Sequence, residues 1–160
     1  MEAFTMSESL NPIITKQLDA LLYGETNLVA NLSNAAALLN QTLSDINWAG
    51  FYLYQPETDD LILGPFQGNV ACVHIENNHG VCGTALATQT TQRIADVHQF
   101  PGHIACDSAS NAEIVVPLTI GETKFGVLDI DSPTKDRFTA ADQQVLEEFA
   151  RVLLSHIDKA

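Results

Sequence analysis

Positive charge is what this sequence has least of. Seven Lys and Arg stand against twenty Asp and Glu, a formal net charge of −13 at pH 7 over 160 residues. So few scattered cations cannot build a phosphate-neutralising face, which excludes nucleic acid as a partner. The same balance disfavours anionic membranes and polyanionic substrates. A zwitterion or a small neutral ligand stays compatible, because a local site need not follow the overall field. Long apolar runs are missing too, so no helix is expected to span a bilayer. The first 30 residues carry Glu2, Glu8 and Asp19 and have no basic segment leading into an apolar one; no secretory signal is visible, and a cytoplasmic location is expected. Cysteine is scarce and odd in number. Cys72, Cys82 and Cys106 argue against a structural disulfide framework and leave core thiols, metal ligands and redox chemistry open. Internal repeats, low-complexity tracts and linkers are absent. One domain over residues 1–160 is expected, with about residues 1–10 a flexible N-terminal segment.

What is present is ordinary globular material, 46% hydrophobic and 17% charged. Asn11-Pro12 opens a helix carrying Ile13, Ile14, Leu18, Leu21 and Leu22, and Gly24 ends it. A second helix is expected from about Asn27 to Ser44, with Leu28, Val29, Leu32, Leu39 and Leu43 on one face. The period then changes to two. "INWAGFYLY" (46–54), "DLILGPF" (60–66) and "VACVHI" (70–75) read as successive strands, followed by a short helix in "GVCGTALATQ" (80–89) and a small strand in "QRIADV" (92–97). After a loop over about 98–111, "EIVVPLTI" and "KFGVLDID" form a hairpin across Gly121-Glu122. A last helix has Thr139 as N-cap and Val145, Phe149, Val152 and Leu153 on its apolar face. Strands joined as meanders between terminal helices predict an α+β fold, an antiparallel sheet with its helices gathered on one face.

Chemistry concentrates in the second half. Cys72-x-His74, His79-x-x-Cys82 and His103-x-x-Cys106 offer zinc-type donors, but no C-x-x-C knuckle or complete structural zinc pattern occurs, so no metal is expected. In "GVLDIDS", Val127, Asp129 and Asp131 point to one side of the sheet and Leu128 and Ile130 to the other. Such an acidic face is commonly just solvated. Glu113 on the paired strand can join it, and three gathered carboxylates need a bound cation, such as an ammonium, or a retained proton. Trp48 and Tyr52 share a side with Gly50 between them, either as core aromatics or as walls around a gap suited to a small apolar group. Cys72 on its strand suits an inert buried thiol. Cys82, at a helix N-terminus, is expected to be the readier thiolate, whereas Asp107 beside Cys106 opposes ionisation. Gly80, Gly83 and the small residues around Cys106 let backbones approach closely.

Together "INWAGFYLY", "LGPFQG", "ACVHI", "GVCGTA", "DVHQFPGHIACDSASNAEIVVPL" and "GVLDIDS" resemble the free methionine-(R)-sulfoxide reductases, single-domain enzymes of the GAF fold. The resemblance covers nearly the whole chain from Gly24 onward. It implies a GAF-like sheet with terminal helices on one face and the ligand pocket on the other. It implies that Cys106 attacks the sulfoxide sulfur and that Glu113, Asp129 and Asp131 supply a proton and hold the substrate ammonium. Trp48 and Tyr52 would wall the site around the ε-methyl and sulfur. Cys72 or Cys82 would then resolve the sulfenic acid as a disulfide, recycled by thioredoxin. No cofactor beyond that external reductant is implied, and a homodimer is compatible. The backbone N–H groups of the 103–112 loop are expected to hold the substrate carboxylate. Two other readings compete: a non-catalytic GAF ligand or redox sensor, and a zinc-binding structural module.

Overall fold

The computed structural model describes residues 9–157. Residues 1–8, most of the stretch expected to be flexible, lie outside the described residues. Leu10, at its end, is buried and donates its N–H to Asp142 at 2.7 Å.

Two helices, α1 (Ile13–Leu21) and α2 (Leu28–Thr42), precede strands β1 (Trp48–Gln55), β2 (Asp60–Gly68) and β3 (His74–Glu76). Helix α3 (Gly80–Thr88), strand β4 (Gln92–Ile94) and a 3-10 turn at Val97–Gln99 follow, then β5 (Ala112–Ile120), β6 (Thr123–Ser132) and α4 (Ala140–Ile157). The strands form one antiparallel sheet in the order β3-β2-β1-β6-β5-β4. The long β5–β6 hairpin closes on the Ile120–Thr123 pair, with Gly121 at φ 62°, so the two-residue turn sits where a left-handed backbone is needed.

Strand alternation separates two cores. Ala49, Phe51, Ile114, Val116, Leu128 and Ile130 face α1, α2 and α4 and join Leu18, Leu32, Leu39 and Phe149 in the larger one. Trp48, Tyr52, Val115 and Val127 face the opposite way and meet Val81, Ala85 and Leu86 of α3. The expected division, terminal helices on one face and pocket on the other, is therefore present.

Helix ends follow the expected chemistry. The Asn11 side chain accepts from the Ile13 N–H at 3.0 Å and that of Asn27 from the Ala30 N–H at 2.9 Å. At α4, Thr139 Oγ1 accepts from the Asp142 N–H while Asp142 Oδ2 accepts from the Thr139 N–H, a reciprocal capping box. Two expectations need correction. The buried stripe of α2 runs through Leu32, Ala35, Ala36 and Leu39, leaving Val29 on the first turn 64% exposed. The third strand is also shorter than "VACVHI" suggested. Trp48 Nε1 donates to the Asn69 carbonyl at 3.2 Å and the Tyr52 hydroxyl to the Cys72 carbonyl at 2.9 Å. Aromatic side chains occupy carbonyls that a ladder would have used, so residues 69–73 form a loop and Cys72 is not on a strand.

Candidate active site

Register builds the floor of the site. Trp48, Asp131 and Glu113 lie on one row across β1, β6 and β5; Gly50, Asp129 and Val115 lie on the next. All three carboxylates therefore come from neighbouring strands onto one face, as the alternation predicted. Glu113 and Asp129 are buried and Asp131 partly so. Ser110 Oγ donates to Asp131 Oδ2 at 3.2 Å, while Oδ1 of Asp129 and Oδ1 of Asp131 are buried without a hydrogen-bond partner. Among the described residues no Lys, Arg or His forms an ion pair with any of the three.

Burial raises all three carboxyls well above their ordinary range, and each has a second cause in a neighbour. Glu113 is raised further by the charge of Asp129, Asp129 by Asp131, and Asp131 by Glu113. Such a cluster retains protons where isolated carboxyls would have lost them. The tyrosine hydroxyl of Tyr52 is likewise raised, by burial and then by Asp129.

Above this floor sits a small cavity of about 40 Å³, with Trp48 and Tyr52 on one side, Val81 and Cys82 of α3 on another, and His103, Ile104 and Cys106 over it. It has room for a few waters. The Trp48 ring stacks on Tyr52 at 5.8 Å and on Phe66 at 5.0 Å between centroids. Gly50 does not leave the expected gap for a ligand. A Cβ there would lie 2.7 Å from Phe66 Cα and 2.9 Å from the Pro65 carbonyl oxygen, because a bulge between Gly50 and Tyr52 brings the β2 backbone onto that position. Gly80 does allow a close approach: its missing side chain faces Ile104, whose Cδ1 would be 3.0 Å from a Cβ.

The three cysteines separate. Cys72 and Cys106 are joined by a disulfide, with their Cα atoms 5.3 Å apart, so the loop after β2 and the loop before β5 meet over the pocket. Both residues are partly exposed. Cys82 is a buried free thiol whose Sγ donates to Glu113 Oε2 at 3.9 Å. Burial, and then the charges of Asp129, Glu113 and Asp131, push this thiol well up. The expectation that Cys82 is the readier thiolate is thereby corrected: its burial and three carboxylates outweigh one short helix's dipole. The histidine–cysteine pairs do not assemble either. His74 is paired with Asp60 at 2.9 Å, and the exposed His79 contacts the Asn77 carbonyl at 3.0 Å.

Two positioning residues escaped the sequence reading. Asn47 Nδ2 donates to Asp107 Oδ2 at 3.0 Å and to Ser110 Oγ at 3.1 Å. With the Ser110–Asp131 bond, a chain runs from the residue beside Cys106 down to the carboxylate floor. Its only sequence signal was position: Asn47 is the second residue of the β1 motif and Ser110 lies inside the cysteine motif. The loop itself is internally bonded. The N–H groups of His103, Cys106, Ala109, Ser110 and Asn111 donate to Phe100, Ile104, Asp107, Asp107 and Ser132. That leaves residues 104, 105, 107 and 108 as the loop donors without a partner among the described residues.

A disulfide over a carboxylate-floored pocket on a six-stranded antiparallel sheet is a recognisable arrangement. The GAF domain family matches residues 29–158, and the chain belongs to that family. The chain is 54% identical over 140 residues to the free methionine-R-sulfoxide reductase of Escherichia coli, covering 88% of this chain and 84% of that protein. It is 47% identical over 141 residues to the enzyme of the same name from Saccharomyces cerevisiae, covering 84% and 78%. The structure of fRMsr of Staphylococcus aureus in complex with substrate superposes with a TM-score of 0.88 at 47% identity, covering 96% and 99%. The family read from the motifs is thus borne out.

Proposed function

We propose that this protein is an oxidoreductase that reduces free methionine-(R)-sulfoxide to methionine through Cys106. The observation that carries the reading is the Cys72–Cys106 disulfide poised over Glu113, Asp129 and Asp131 beside Trp48 and Tyr52. The thiol of Cys106 attacks the sulfoxide sulfur. One carboxyl of the cluster, kept protonated by burial and by its neighbours, protonates the departing oxygen, and the remaining carboxylates hold the substrate ammonium. As the protonated adduct collapses, the hydroxyl passes from the methionine sulfur to the Cys106 sulfur and the new S–S bond breaks, so methionine leaves reduced by two electrons and Cys106 is left oxidised as a sulfenic acid. The Cys72 thiol displaces that oxygen as water, forming the disulfide, and a thioredoxin-type dithiol returns both cysteines to thiols while becoming oxidised itself. Cys72 is the resolving residue of choice, because Cys82 is buried and its thiol is held up. The substrate carboxylate takes the uncommitted N–H groups at residues 104, 105, 107 and 108.

Free methionine over a protein-bound residue follows from the site's need for a cation. Comparing rates on free and N-acetylated methionine sulfoxide tests this, and equal rates would sink it. Single-turnover assays separate the thiols. Cys106→Ser should release no methionine, whereas Cys72→Ser should release one equivalent per chain and then stall without thioredoxin-linked recycling. Retained turnover in Cys106→Ser would overturn the assignment.

A further inference from the structure

The same pocket contains a donor that a substrate ammonium does not require. Cys82 Sγ, a Glu113 oxygen and an Asp129 oxygen all lie within 4.8 Å of one another. Around a single zinc-sized ion, sulfur at about 2.3 Å and carboxylate oxygen at about 2.0–2.2 Å would themselves sit roughly 3.3–3.7 Å apart. The Cys82–Glu113 separation of 3.9 Å is already close to that spacing. The second observation is independent of the cluster's spacing: Asp129, 5% exposed, lines the cavity with its Oδ1 atom buried and without a partner. A hydrogen-bond donor or a cation must meet that oxygen if its desolvation is to be offset. An ammonium offers hydrogen bonds to the oxygens but gains little from a thiol. A borderline-soft divalent cation gains from all three donors, since thiolate selects zinc and its neighbours over magnesium or calcium.

We propose that Cys82, Glu113 and Asp129 form a binding site for a zinc-type divalent cation inside the pocket. The ion takes one sulfur and two carboxylate ligands and leaves a fourth position for water. Binding displaces the Cys82 proton and any proton the two carboxyls share, so affinity rises with pH. The binding rests on the geometry alone. Its consequence, reversible inhibition by competition with methionine sulfoxide for Glu113 and Asp129, rests on the proposed function. This site differs from the histidine–cysteine pairs weighed from sequence: it uses neither His74, His79 nor His103, and its ligands are brought together by α3, β5 and β6.

The test uses Cys72→Ser/Cys106→Ser, in which Cys82 is the sole thiol, titrated with Co²⁺. Expected are 1:1 binding, a near-ultraviolet thiolate-to-cobalt charge-transfer band, and displacement of cobalt by Zn²⁺. Adding Cys82→Ala should abolish the band, and adding Asp129→Asn should weaken binding about tenfold or more, the scale typical for perturbing a metal site. Circular dichroism establishes that each variant is folded before titration. No binding by folded protein, or binding undiminished by Cys82→Ala, overturns the site. Free methionine should compete with the cobalt. A charge-transfer band that methionine leaves unchanged upholds the metal site and counts against the substrate reading instead.

Discussion

The carboxylate cluster makes its sharpest prediction through Asp129→Asn, measured as stability against pH. In the folded protein Glu113, Asp129 and Asp131 are all raised, first by burial and then by one another. In the unfolded chain they return to roughly 3.9–4.3. Above about pH 5 the folded state therefore binds more protons than the unfolded state. The sign follows: stability is fully present below the unfolded values and is lost as pH rises toward the folded ones. Each proton the pocket keeps and the unfolded chain releases removes about 1.36 kcal/mol per pH unit, or about 2.7 kcal/mol between pH 5 and pH 7. Asparagine at 129 preserves shape, removes one titrating group and relieves the charge on its two neighbours. The variant should be more stable than the parent at pH 7 by about 1–3 kcal/mol, the scale of an uncompensated buried polar group, with a shallower pH slope and a gap that closes toward pH 4. His103, lowered mainly by burial, contributes with the opposite sign, and it cancels in the difference between the two proteins. Urea unfolding of the disulfide form, followed by the fluorescence of Trp48, the single tryptophan, reads this directly. Its ring stacks in the pocket wall, so the probe sits where the perturbation acts. A gap that does not widen between pH 5 and pH 8, or a less stable variant at pH 7, would refute the reasoning. The gain should be accompanied by lost reductase activity, stability and function being opposed at this position.

Two further perturbations test the scaffold around the site. Gly50→Ala forces a Cβ into the β2 backbone at Phe66 and Pro65 and should destabilise the fold by about 1–3 kcal/mol, as overpacking does; an unchanged urea midpoint would show that the bulge is not tight. Ser110→Ala breaks the chain from Asn47 to Asp131, and kcat should fall on the order of tenfold to a hundredfold, as for a misplaced reacting group. Its stability should change by only about 1 kcal/mol, and an unaltered kcat would remove Ser110 from the positioning role.

Local pattern carried most of the architecture. The change from helical to alternating period marked every long strand, and alternation placed Glu113, Asp129, Asp131, Trp48 and Tyr52 on the side away from the terminal helices. The hairpin turn and the caps at Asn11 and Thr139 were equally local. The cysteine motif around Cys106 and the carboxylate-bearing strands were specific enough to name the family. Those features depend on residues a few positions apart, so the chain displays them without folding.

What packing decided is of another kind. Cys82 reads as an activated thiol from its helix start, but burial among Glu113, Asp129 and Asp131 reverses the sign, because the field at a group is set by neighbours thirty or more residues away. The partner of Cys106 is likewise chosen by the loop after β2, held in place by Trp48 and Tyr52 side chains that take its carbonyls out of the ladder. Gly50 reads as a gap until the β2 bulge fills it, and Asn47 and Ser110 gain a role only when their two loops meet. Sequence by itself determined which side chains share the pocket face. Tertiary structure decided their protonation, their pairing and the space between them, since desolvation, charge and steric contact all depend on distance through space and not along the chain.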